Sequence, residues 1–121
     1  MDIRIKEQNG VSCAVLRGDE VLMRDVQSAL DLMMTVYYEA GCNRIALFQE
    51  NLPGDFFVLR TGLAGEVLQK FMNYHMKLAV IGDFSAVASK PLRDFIFESN
   101  NGRDVFFAAS EEEAVERLCK A

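Results

Sequence analysis

KLAVIGDFS, residues 77–85, is the stretch on which the fold turns. After one lysine its residues are apolar without interruption to Ile81, and Gly82-Asp83 then ends the run. A strand that does not alternate is buried on both faces, as in a parallel sheet covered by helices. Arg44 to Phe48 read as a second short apolar strand, too brief for a helix, and Val105 to Ala108 as the last. At the other end of the chain, Ile3 and Ile5 alternate with Arg4 and Lys6, a period-two strand. Asn9-Gly10 is a strong hairpin signal, and Val11 to Leu16 supply the returning strand.

Helices fill the intervals. Asp25 is a candidate N-cap for a helix with Val26, Ala29, Leu30, Met33, Met34 and Tyr37 on its apolar face, and Gly41 stops it. Pro91 fits the first turn of a helix reaching about Ser99. Ser110 and Glu113 form a capping-box pattern ahead of a stripe of Ala114, Val115, Leu118 and Cys119. The order is β-β-α-β-α-β-α-β-α. It predicts an α/β fold with a single mostly parallel sheet, an N-terminal β-hairpin and about four helices, in one domain over residues 1–121.

Between Asp55 and Tyr74 the reading is divided. Phe56, Leu59, Leu63, Val67 and Phe71 keep one apolar stripe, and Pro53-Gly54-Asp55 is a good start signal, so a single helix from Asp55 is the stronger expectation. Gly62 and Gly65 then become devices for close packing, each costing about 1 kcal/mol against Ala. The alternative starts the helix at Thr61, whose hydroxyl and the first free amides would make an anion position.

The formal charge of −5, from 18 acids against 13 bases, argues against nucleic acid as a partner. No apolar run is long enough to span a membrane and no signal peptide is evident, so a cytoplasmic protein is expected. Cys13, Cys42 and Cys119 are odd in number and widely spaced, which favours idle thiols over disulfides or zinc. Phosphate-loop, dinucleotide-binding and hydrolase-elbow patterns are absent, and no cofactor or metal site is expected.

Ligands on parallel sheets sit beyond the carboxyl ends of the strands, here Gln49 to Asn51, Gly82 to Ser85 and Ala109-Ser110. Asp83 in that position fits a ligand or metal contact, but an Asx turn with the following backbone is the commoner use. His75, the sole histidine, reads as a helix C-terminal residue rather than a base. Phe95 and Phe97 are two apart on one helix and so face different ways. A homodimer patch accounts for such surplus hydrophobics.

The stretch from Asn51 to Ser85, containing FFVLRTGLAGE and KLAVIGDFS, followed by KPLRDFIFESNNGRDVFF, resembles the bacterial domain-of-unknown-function family 4180. The order of elements also resembles the STAS fold of anti-sigma factor antagonists and the SpoIIAA-like domains. In antagonists a phosphorylatable Ser precedes Gly-Leu in a D-x-S-G-L pattern. Leu59-Arg60-Thr61-Gly62-Leu63 stands at the comparable place, with Leu59 where the pattern has Asp. That resemblance implies a regulatory, partner-binding module without enzymatic activity, with Thr61 as phospho-acceptor. Its surface would centre on Asp55, Arg60, Thr61, Gly62, Asp83 and Ser85. A SpoIIAA-like carrier of a small apolar ligand or lipid is the alternative, and an enzyme using Asp83 and Glu50 is a third.

Overall fold

The computed structural model describes all 121 residues. Its frame is a five-stranded sheet: β1 (Asp2–Gln8), β2 (Val11–Arg17), β3 (Arg44–Phe48), β4 (Lys77–Ile81) and β5 (Val105–Ala108). The strands lie in chain order, with β1 antiparallel to β2 and the other pairs parallel. Four helices accompany them: α1 (Val26–Ala40), α2 (Leu63–Asn73), α3 (Lys90–Asn100) and α4 (Glu111–Lys120). The predicted α/β architecture is therefore present. Asn9 and Gly10 both take positive φ, 55° and 76°, as a two-residue hairpin turn requires.

Because strand side chains alternate, each central strand serves two cores. Leu78 and Val80 of β4 join Ile45, Leu47, Ala14, Leu16, Val105 and Phe107 on one face, beneath α1, α2 and α3. Ala79 and Ile81 join Cys13, Val15, Ala46, Phe106 and Ala108 on the other, where α4 alone supplies Ala114, Val115, Leu118 and Cys119. This asymmetry follows from the strand order. Right-handed crossovers between sequential neighbours place every connecting helix on the same side.

The edges of the sheet differ. Beside β5, the Asn100 side chain accepts from the Phe107 N–H at 2.8 Å and donates to the Phe107 carbonyl at 3.2 Å, so it stands in for a neighbouring strand. Arg117 stacks over Phe106, 4.8 Å from the ring centre, and donates to the Asn100 carbonyl. No such cover lies along β1, which is exposed at most of its residues.

One expectation is overturned. No helix runs from Asp55: residues 54–57 and 59–61 form two 3-10 turns, joined through an extended Val58, and α2 begins at Leu63. Gly62 breaks the run, since its φ of 80° is left-handed and incompatible with a continuing helix. The apolar stripe survives across the break because Phe56 and Phe71 are both buried, although their backbones belong to different elements. Neither glycine is a packing device, for a Cβ at Gly62 or Gly65 would meet no atom within 4 Å.

At its far end α2 closes with a nested pair of hydrogen bonds. His75 N–H donates to Met72 O at 3.1 Å and Met76 N–H to Phe71 O at 2.8 Å, while His75 holds φ 57°. His75 is thus a helix-terminating residue, in a conformation that glycine adopts more cheaply.

The glycines make opposite predictions. Gly65→Ala should stabilise the protein by about 0.5–1 kcal/mol, whereas Gly62→Ala should destabilise it by about 1–2 kcal/mol. Urea unfolding midpoints of the two variants check both signs, and equal effects would contradict the assignment of the break to Gly62.

Candidate functional site

The carboxyl ends of the parallel strands are filled by side chains except beside Arg17, Phe48 and Glu50, where an open depression remains. Asn51 follows β3 and is 1% exposed, the one buried polar residue of the chain. Its Oδ1 accepts from the Phe48 N–H at 3.0 Å, and its Nδ2 donates to Gly18 O at 3.0 Å and Glu20 O at 2.9 Å. Its own carbonyl accepts from the Leu22 N–H at 2.8 Å. One residue thereby fastens the whole β2–α1 connection to the end of β3. All these groups are satisfied, so Asn51 holds structure and has no donor left for a ligand.

The next strand end is closed by contact. A Cβ at Gly82 would come within 2.5 Å of the Gln49 side-chain oxygen and 3.1 Å of the Phe84 ring, so Gly82 is where the chain needs glycine for close approach. A row of rings then crosses the end of the sheet. Phe56 meets Phe57 at 5.2 Å, Phe57 meets Phe84 at 6.2 Å, Phe84 meets Phe107 at 5.2 Å, and Phe107 meets Phe95 at 5.9 Å. Most of these contacts are edge-to-face, the favourable arrangement for aromatic pairs. Phe97, on the other side of α3, is 69% exposed.

Asp83 turns back on its own loop. It accepts from the Ser85 hydroxyl at 2.6 Å and the Ser85 N–H at 3.1 Å, the Asx-type turn expected of it. The side-chain bond first, then the backbone bond, lowers the Asp83 pKa below its ordinary 3.8. Its contribution to the loop is therefore present at neutral pH and lost as pH falls through that lowered value. Glu50 lines a separate open depression with Arg17, Gly18, Asp19 and Phe48, so the two carboxylates share no cleft.

Thr61 sits in the turn before α2. Its hydroxyl lies 2.8 Å from the carbonyls of both Asp55 and Val58, and its oxygen accepts from the Leu63 N–H at 3.3 Å. The hydroxyl therefore holds both 3-10 turns closed. Glu66 N–H bonds to Gly62 O, while the amides of Ala64 and Gly65 have no protein acceptor. Asp55 and Arg60 are exposed, and the Arg60 guanidinium makes no ion pair or hydrogen bond. Phe57, Val58, Leu59 and Arg60 face Ser89 and Pro91 across an open depression of about 450 Å³. The expected surface thus divides: Asp55, Arg60, Thr61 and Gly62 form one turn, and Asp83 with Ser85 form another, with Phe57 and Phe84 packed between the two segments.

The three thiols are free and buried. Burial first, and then neighbouring Cys119, push the Cys13 thiol up to about 12. A thiol so reluctant to ionise is no nucleophile at neutral pH. No group of three His, Cys, Asp or Glu side chains is placed to hold a metal ion.

Residues 8–118, from the last residue of β1 to the last turn of α4, match the family described as a domain of unknown function, DUF4180. The chain belongs to that family. No curated protein and no solved structure matches it. No helix is long and apolar enough to cross a membrane.

Asn51 was the residue that sequence reasoning passed over, because Asn beside Leu-Pro-Gly looks like a turn former. Asn51→Asp sets an acceptor against the Gly18 and Glu20 carbonyls and should cost about 2–4 kcal/mol. The deficit should shrink as pH falls, since protonating the buried carboxyl restores one donor. Urea titrations of both proteins at neutral and acid pH measure this, and a variant as stable as its parent at pH 7 contradicts the assignment.

Proposed function

We propose that this chain is a cytoplasmic, non-enzymatic regulatory module of STAS-like architecture that binds a protein partner through residues 54–65, with Thr61 as its phospho-acceptor. The observation that carries this reading is the Thr61 hydroxyl, exposed yet spent on closing the turn before α2. A phosphoryl group there removes the proton that the Asp55 and Val58 carbonyls share, so the turn must rearrange. It also adds about −1.5 to −2 charges beside a helix N-terminus with two free amides, where an anion is stabilised. The unpaired Arg60 and the half-buried Phe57 and Leu59 give the same segment the mixture of apolar area and free charge that partner surfaces use.

The test begins with intact mass of the chain isolated from its native host. The reading predicts a singly phosphorylated fraction that disappears in Thr61→Val and persists in Thr61→Ser. Unmodified protein across growth conditions contradicts the switch.

A second reading, a carrier of a small apolar ligand, is favoured by an open groove of about 300 Å³ between α2 and α3. Leu68, Met72, Phe95 and Val105 line it, and Gly65 borders it. Native mass spectrometry of host-purified protein should then show a bound small molecule, released when Met72→Glu puts a charge in the groove. Ligand-free protein contradicts the carrier.

A further inference from the structure

The two edges of the sheet invite different fates, and the open one is self-complementary. In a two-residue hairpin the flanking pair, Gln8 with Val11, exchanges both backbone bonds. Bonding then alternates to Lys6–Cys13, Arg4–Val15 and Asp2–Arg17 along the observed register. The N–H and C=O groups of Ile3, Ile5 and Glu7 therefore point away from β2, and none has another protein partner. Ile5 is 55% exposed and projects to the face of Ala14, while Asp2, Arg4 and Lys6 are exposed on the face of Cys13 and Val15. At the opposite edge the Asn100 side chain occupies the place a strand would take. Proteins ordinarily blunt open edges with a cover or with charges, and here one edge is covered while the other is uncovered and carries exposed charges of both signs.

We infer that β1 pairs antiparallel with β1 of a second copy across a two-fold axis at Arg4, joining the two sheets into one of ten strands. The register follows from side-chain chemistry. Outward-pointing residues pair only with outward-pointing residues, so within β1 Ile5 faces the partner's Ile5, Ile3 or Glu7, and the last sets Ile5 against a charge and Lys6 against the partner's Lys6. The first choice sets Arg4 against the partner's Lys6 twice and Ile3 against the partner's Glu7. The second sets Ile3 against the partner's Ile5 and Asp2 against the partner's Lys6, each twice by symmetry. Like charges meet there at Arg4 alone, where Asp2 of the same strand lies 3.3 Å from the Arg4 Nε. Opposite-charge and apolar cross-strand pairs each stabilise a sheet, and directly opposed like charges destabilise it. The second register wins. It is isologous, so it closes on two copies and does not propagate.

Sedimentation equilibrium of the full chain over a concentration series tests this with four variants. Wild type should form a dimer. Asp2→Lys and Lys6→Asp each turn two attractive pairs repulsive and should raise the dimer dissociation constant by about tenfold or more. The double exchange restores both pairs and should return it to within about threefold of wild type. Ile5→Pro removes an outward N–H that β2 does not use, and should abolish the dimer while circular dichroism shows the fold retained. A monomer at every concentration overturns the inference. So does a dimer indifferent to Ile5→Pro or to the single reversals, and so does failure of the double exchange to restore association.

Discussion

A whole face of the sheet rests under one helix. Sequential strand order and right-handed crossovers put α1, α2 and α3 together on one side, so α4 alone keeps water from Val15, Ala46, Ala79, Phe106 and their neighbours. Four of the side chains beneath it, Cys13, Ala46, Ala79 and Ala108, are small and leave room for Leu118 and Val115. Both ends of α4 are tied down. Ser110 caps its start, and Arg44 donates to the carbonyls of Leu118 at 2.8 Å and Ala121 at 2.9 Å. The Arg17–Glu111 pair joins its first turn to β2. Burial on both faces of β3 and β4, on which the fold depends, exists because this helix docks.

The same topology leaves no crevice between opposed crossovers at the strand ends. Crevices at strand ends form where neighbouring connections leave on opposite faces of a sheet. Here successive crossovers stay on one face and no such reversal occurs among β2 to β5. Asn51, the Gln49–Gly82 contact and the row of phenylalanines fill the space instead. The irregular turn from Gly54 to Gly62, which ends at a left-handed glycine, presents Asp55, Arg60 and Thr61 at the surface.

The sheet was legible from residues because its signals are local. KLAVI and RIALF have no alternation, Asn9-Gly10 demands a tight hairpin, and Asp25, Gly41, Pro91 and Ser110 mark helix ends by chemistry that needs no tertiary contact. The segment from Asp55 to Thr61 was misread because its apolar spacing suits a helix and two 3-10 turns alike. Helical periodicity counts residues and does not see a φ of 80° at Gly62. Asn51 and Asn100 were beyond reach for another reason. Their partners are 31 and 33 residues away in one case, and in the other a strand edge that exists once the sheet is formed. For the surface, nothing in the residue order reveals that Phe57 and Phe84 pack between the Thr61 turn and the Asp83 turn.

Native-state hydrogen exchange of α4 addresses the dependence of the sheet on its single covering helix most directly. Amides in the middle of α4 should exchange through the same opening, with the same free energy and denaturant dependence, as those of β3 and β4. Protection of α4 lost in a separate opening, well below that of the central strands, would show that the sheet stands without it and contradict the account.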